Sequence, residues 1–320
     1  NISVGDAESI ILKILENLDS LDDLFATAVL NKAFYRVFKD NELRLMRMTL
    51  KRQSLAAWEF REICTPNEST EINSAAPKPD YTAKSYFACY LRDAYVIAGL
   101  KSIVLRQCKT FLRPETIRSL TSINPEVASR FNDAAWRVWT FCQTFGCGKG
   151  REEDIIGQMD WLKGGVLAHQ QTCTCSIVEP PELESSSVLM SAPECFGKGN
   201  PGGLSAEQLF DMTELWNCLS ALISGVSGME GRTEQARAYG LFDCTAVQGG
   251  DIDGEEVMLE EWCHWIKTLG LSAVLDLSIW ANDPSPTAFM LAAEQKWTSW
   301  PAPDFDGGRS TFLKEALSRV

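Results

Sequence analysis

Residues 8–38 read ESIILKILENLDSLDDLFATAVLNKAFYRVF, and the spacing of their apolar residues decides the fold class. From Ala7 to Leu18, residues Ile10, Ile11, Ile14, Leu15 and Leu18 fall on one face of a helix, with Lys13, Glu16 and Asn17 opposite. That is a period near 3.6, not the alternation of a strand. Asp19 or Ser20 then offers an N-cap for a second helix with Leu21, Leu24, Phe25, Ala28 and Val29 as its stripe. A third helix starts near Asn31, carries Phe34, Val37 and Phe38, and has the apolar residues to run on through Met48.

Outward from this segment the helical period persists. Helices are expected over about 81–110, 114–121, 124–145, 152–162, 205–225, 230–241, 254–268, 271–281, 286–295 and 309–319. Two stretches interrupt them. Residues 64–80 (CTPNESTEINSAAPKPD) are polar and hold three prolines, and 172–203 contain Pro180-Pro181, Ser185–Ser187 and GKGNPGG. With no run of alternating strands and no repeat of solenoid length, the expectation is an all-α protein. A three-helix module over residues 1–55 precedes a larger, irregular helical body over 56–320.

Composition narrows the function. The chain has 320 residues, is 45% hydrophobic, and carries ten Trp and fifteen Phe, ample material for a core. Its net charge of -13 disfavours phosphate backbones and anionic membrane surfaces. No apolar run reaches membrane-spanning length. The odd total of eleven cysteines in a chain this long reads as mostly reduced, buried thiols, as in the cytosol or nucleus.

The opening segment resembles the F-box. The doublet Ile10-Ile11, the pair Ile14-Leu15, then Leu18, Asp23-Leu24, Val29, Lys32 and Phe34 stand at that family's distances. The family opens with a Leu-Pro turn, and Asp6-Ala7 stands in its place. Three further strings are similar to the C-terminal region of a group of fungal F-box proteins. They are RVWTFCQTFGCGKGREEDIIGQMDWLKGG, EEVMLEEWCHWIKTLG and the terminal SRV. The resemblance implies an adaptor rather than a catalyst: a substrate receptor of an SCF-type ubiquitin ligase, with no cofactor. It would bind a Skp-type adaptor, and through it a cullin scaffold, by Ile10, Ile11, Ile14, Leu15, Leu18, Leu24, Val29 and Phe34. The body would hold a target protein. A scaffold that keeps the helices and has lost the adaptor is the alternative.

Other chemistry has thin support. His169 and His264 are the two histidines, which restricts acid–base and metal chemistry. A zinc site could draw on Cys142, Cys147, His169, Cys173 and Cys175, although the spacing is not that of a finger. Cys263 and His264 are adjacent, so on a helix they point about 100° apart and do not form a nucleophile–base pair. Gly146, Gly148 and Gly150 read as a turn between helices more readily than as an anion loop. The acids of GGDIDGEEVMLEEW lack an EF-hand pattern and suit a helix start, with Asp253 as cap and Glu256 completing a capping box. Most tryptophans belong to a core. Trp297 and Trp300, in a loop-like stretch before Pro301, are the candidate exposed recognition pair.

Overall fold

The computed structural model describes residues 4–64, 66, 80–170, 187–224, 232–280, 287–303 and 311–320. Among them are sixteen α-helices and no strand, so the protein is all-α.

The N-terminal helices are α1 (Val4–Glu16), α2 (Leu21–Ala28), α3 (Lys32–Asp40) and α4 (Glu42–Gln53). Ser20 caps α2 by accepting from the Asp23 N–H at 3.0 Å. Asn31 caps α3 by accepting from Ala33 and Phe34. Such polar side chains satisfy N–H groups that a helix start leaves open. The long third helix expected through Met48 is broken at Asn41, whose side-chain amide donates instead to the Val37 carbonyl. A local side-chain bond competes with helix continuation there. The turn lets α3 and α4 both pack against α1.

A second break at Ser54 starts α5 (Leu55–Ile63). The Ser54 hydroxyl accepts from the Ala57 N–H and donates to Asp133 at 2.7 Å, so one side chain caps α5 and fixes it to the body. The long α6 (Ala83–Gln107) follows, capped by a reciprocal Thr82/Ser85 box. Arg61 of α5 meets Asp93 of α6 at 3.1 Å, both removed from water.

Next come α7 (Pro114–Thr121) and α8 (Pro125–Phe145), each with proline in its first turn. Helix α8 is the spine. Residues Ala134 to Cys142 are all buried, which is expected of a helix surrounded by others. It packs on α5, α7, α11 (Ala206–Ser224) and α13 (Ile252–Leu269). Thr140 and Thr144 sit in this core because their hydroxyls donate to carbonyls one turn back. Phe60, Trp136 and Trp139 pack ring on ring, with centroids 4.7–6.1 Å apart.

The shorter helices α9 (Ile155–Leu162), α10 (Val166–Gln170), α12 (Arg232–Ala238), α14 (Leu271–Trp280), α15 (Thr287–Glu294) and α16 (Lys314–Ser318) close the body. Near the C-terminus, Leu313 has a positive φ of 65°, and the Lys314 N–H donates to the Phe312 carbonyl two residues back. This tight, strained turn drives Phe312 between Phe141 and Trp216. Burial of Leu313 and Phe312 holds it.

The expected 172–203 loop is only partly a loop. Residues 171–186 lie outside the described residues, but Val188–Ser191 form a 3-10 turn, and Cys195, Phe196 and Asn200 are buried. Of 64–80, only Cys64, Pro66 and Asp80 are described.

Candidate docking face of the N-terminal helices

The eight residues nominated as a docking stripe divide by burial. Leu15 and Leu24 are fully buried in the hydrophobic core, as are Leu21, Ala28, Val37 and Phe38. Ile11, Leu18 and Phe34 are half-buried against that core. Ile10, Ile14 and Val29 face outward, at 51%, 43% and 71% exposure. One uniform stripe of eight is therefore not what the helices present. The inward members make the fold, and only the outward members are free to meet a partner.

The geometry explains the division. Ile10 and Ile14 lie one turn apart on a flank of α1, about 100° or more around the axis from Leu15. Val29 and Leu30 stand beyond the last turn of α2, and Tyr35 on the outer side of α3 is about half exposed. Isolated exposed apolar residues are ordinary. Here two are on α1, two in the turn between α2 and α3 and one on α3, while Leu15 and Leu24 are the residues that fill the interior.

Charge frames this face. Arg36 pairs with Glu8 and Arg44 with Glu16, fastening α3 and α4 to α1. Both arginines are more than half exposed, so these pairs add little stability and mainly fix orientation. Asp6 and Ala7 are inside α1, so the chain is helical where the F-box pattern places a Leu-Pro turn.

The module is joined to the body. The Phe25 ring packs edge-on against Phe87 of α6, with centroids 4.7 Å apart. The Leu21 N–H donates to Gln53, and the Gln53 amide to the Tyr90 hydroxyl. No family model, curated protein or solved structure matches this chain.

The other candidate sites resolve into structural roles. Cys142 is buried and its thiol donates to the Lys267 carbonyl at 3.3 Å. Burial pushes that thiol far up, away from the thiolate a metal needs. His169 is held by the Phe196 carbonyl, 2.8 Å from Nε2. Cys173 and Cys175 lie outside the described residues. Among the described residues no group of three His, Cys, Asp or Glu is placed to hold a metal ion, so Cys142, Cys147 and His169 are not gathered into one site.

Trp300 is buried, and its indole N–H donates to the Leu241 carbonyl. Trp297 is half-buried and its carbonyl accepts from Trp262. The expected exposed aromatic pair is thus a core contact that pins the loop before Pro301. Gly146 ends α8, and a Cβ there would collide with the Thr268 carbonyl. Gly148 is in open space and Gly150 takes the left-handed conformation that ends the short 3-10 turn, so the run is a turn in which Gly146 alone is tightly packed. The cap of α13 is Asp251, not Asp253, through a bond from the Gly254 N–H.

Two buried polar clusters lie outside the sequence expectations. In the first, the Glu59 carboxylate accepts from the Trp161 indole at 2.8 Å, the Gly197 N–H at 2.6 Å and the Gly199 N–H at 2.9 Å. Burial pushes its carboxyl up to about 7, against the pull of those donors and of Arg137. A Cβ at Gly199 would lie 2.2 Å from the Glu59 Oε2, so only glycine lets the backbone come this close. Asn200 extends the clamp, accepting from Arg137 and donating to the Trp161 carbonyl. Two signals for it exist in the sequence: an acid amid the apolar residues of LAAWEFREI, and the glycine alternation in GKGNPGG.

In the second cluster, Lys267 is buried over the Trp216 ring and donates to the Ser220 hydroxyl at 2.6 Å. Burial, then the like charge of Lys314, lowers it to about 8. Burial and these lysines drop neighbouring His264 to about 3. His264 is therefore neutral at pH 7, and its approach to Glu260 at 3.8 Å is not an ion pair.

Proposed function

We propose that this chain is an interaction protein whose N-terminal helices dock a partner of the Skp-type adaptor class. It would serve as a substrate receptor in an SCF-type ubiquitin ligase. One observation carries the reading: Ile10, Ile14, Val29, Leu30 and Tyr35 remain outward while Leu15 and Leu24 complete the interior. Spacing of the F-box kind in residues 8–38 supports the same reading. On it the chain has no active site of its own. The body holds a target near an enzyme supplied by the complex, which is a proximity effect, and the protein works in the cytoplasm or nucleus.

The test is binding of the purified chain to a purified Skp-type adaptor, with Ile14→Asp and Val29→Asp compared against the parent. Both positions are exposed, so the substitutions change the docking face and leave the core intact. Loss of binding in either variant at unchanged thermal stability is the expected result.

A second reading has its own observation. Phe25 packs on Phe87 and Gln53 bonds Tyr90, so α2 and α4 are fastened to α6. A helical scaffold that keeps these helices for its own architecture would show the same contacts. Failure of the parent chain to bind the adaptor favours the scaffold.

A further inference from the structure

Helix α6 has an outer face that the core does not use. Its inward residues are Tyr86, Cys89, Asp93, Val96, Ile97, Leu100, Ile103 and Val104. On the other side Ala88, Leu91, Tyr95, Ala98 and Ser102 are exposed. Their spacing is three, four, three, four, which is the seam of a helix that packs lengthwise on another helix. Leu91 is 50% and Tyr95 75% exposed, so the two largest members stand in water at its centre. Small residues on both sides of them leave room for a second helix backbone to approach.

The charge along α6 itself is one-sided. Lys84 is one heptad before Leu91, and Arg92, Lys101 and Arg106 border the seam. Between Ala83 and Arg113 the one acid is Asp93, which is buried against Arg61 and also takes the Arg92 Nε–H. This stripe is basic on a chain of net charge -13. Like charges at the border of a helix pair repel and opposite charges select the partner.

From the seam and its border we infer that the outer face of α6 is a docking surface for an acidic amphipathic helix of another protein. The partner helix would lay apolar residues along Ala88, Leu91, Tyr95 and Ala98, and set Glu or Asp against Arg92, Lys101 and Arg106. This surface lies on the body and does not depend on what the N-terminal helices bind.

The experiment uses the full chain and two synthetic peptides of about four heptads. Both carry Leu at the seam positions, one with Glu and the other with Lys at the flanks. Binding is measured by fluorescence anisotropy at low and at physiological salt. Expected is binding of the acidic peptide at least about tenfold tighter than the basic one, weakening with salt. Tyr95→Glu should abolish it. Lys84→Glu with Arg106→Glu, one exposed change at each end of the stripe, should reverse the preference toward the basic peptide. Thermal unfolding of each variant confirms that it is folded, and Tyr95→Glu alone carries the test if the double variant is not. Three results overturn the inference. They are equal binding of both peptides, binding of neither, or self-association of the parent chain that Tyr95→Glu removes, since the occupant would then be a second copy.

Discussion

The Glu59 carboxylate meets the Trp161 indole N–H at 2.8 Å, with both side chains almost wholly removed from water. Glu59 belongs to α5, adjoining the N-terminal helices, and Trp161 to α9 in the body. The same carboxylate holds the backbone of Gly197 and Gly199. One acid therefore organises three segments distant in sequence.

Glu59→Ala removes the acceptor from three buried donors at once. An orphaned buried donor costs about 1–3 kcal/mol, so a loss of at least about 3 kcal/mol in unfolding free energy is expected. Hydrogen exchange at the Gly197 and Gly199 amides should rise with it. A variant within about 1 kcal/mol of the parent would show that the clamp is not what holds this loop.

The pH dependence of the clamp has a definite sign. Burial raises the Glu59 carboxyl from 4.5 to about 7 in the folded protein. Its contribution is complete below the unfolded value and is lost as pH rises from about 4.5 through 7. Glu59→Gln has no such titration. Parent stability minus variant stability should fall across that window and then level off, as read by urea unfolding at several pH values. A difference that is flat with pH, or that rises, contradicts the assignment.

Lys267 gives the opposite window. Its folded value is lowered from 10.5 to about 8, so the neutral form is favoured in the core. The cost of burying the charge is fully present below pH 8 and is relieved as pH rises toward 10.5. Lys267→Met fills a similar volume without charge. It should match or exceed parent stability at pH 7, and the gap should narrow by pH 10. A loss of more than about 2 kcal/mol at pH 7 would instead assign net stabilisation to the Trp216 and Ser220 contacts.

Leu24 and Val29 separate fold from face within one segment. Leu24 is fully buried, and truncation to Ala should cost about 2–5 kcal/mol. Val29 is 71% exposed, and its truncation should stay within about 0.5 kcal/mol. Thermal or denaturant unfolding of the two variants decides it. Equal costs would mean that Val29 is covered in solution.

Much of the fold was legible in the sequence because helix periodicity is a local signal. The bounds of α7, α8, α11, α13 and α14 fall within a few residues of those expected. The break at Asn41 was not, because a side-chain bond to Val37 outweighs an apolar pattern that continues across it. The sequence pattern also could not divide Leu15 from Ile14, since adjacent apolar residues on one helix are assigned inside or outside by neighbours that come later in the chain. Trp300 looked loop-like beside Pro301, yet its indole has a partner 59 residues away in Leu241. The Glu59 clamp joins residues more than 100 positions apart, a distance that no local period encodes.

The most direct measurement is a binding titration between the purified full chain and a purified Skp-type adaptor, run in parallel for the parent, Ile14→Asp and Val29→Asp. Saturable binding by the parent, weakened at least about tenfold in each variant without change in melting temperature, is the expected result. A parent chain that does not bind, or binding indifferent to both substitutions, would contradict the docking role of the N-terminal helices.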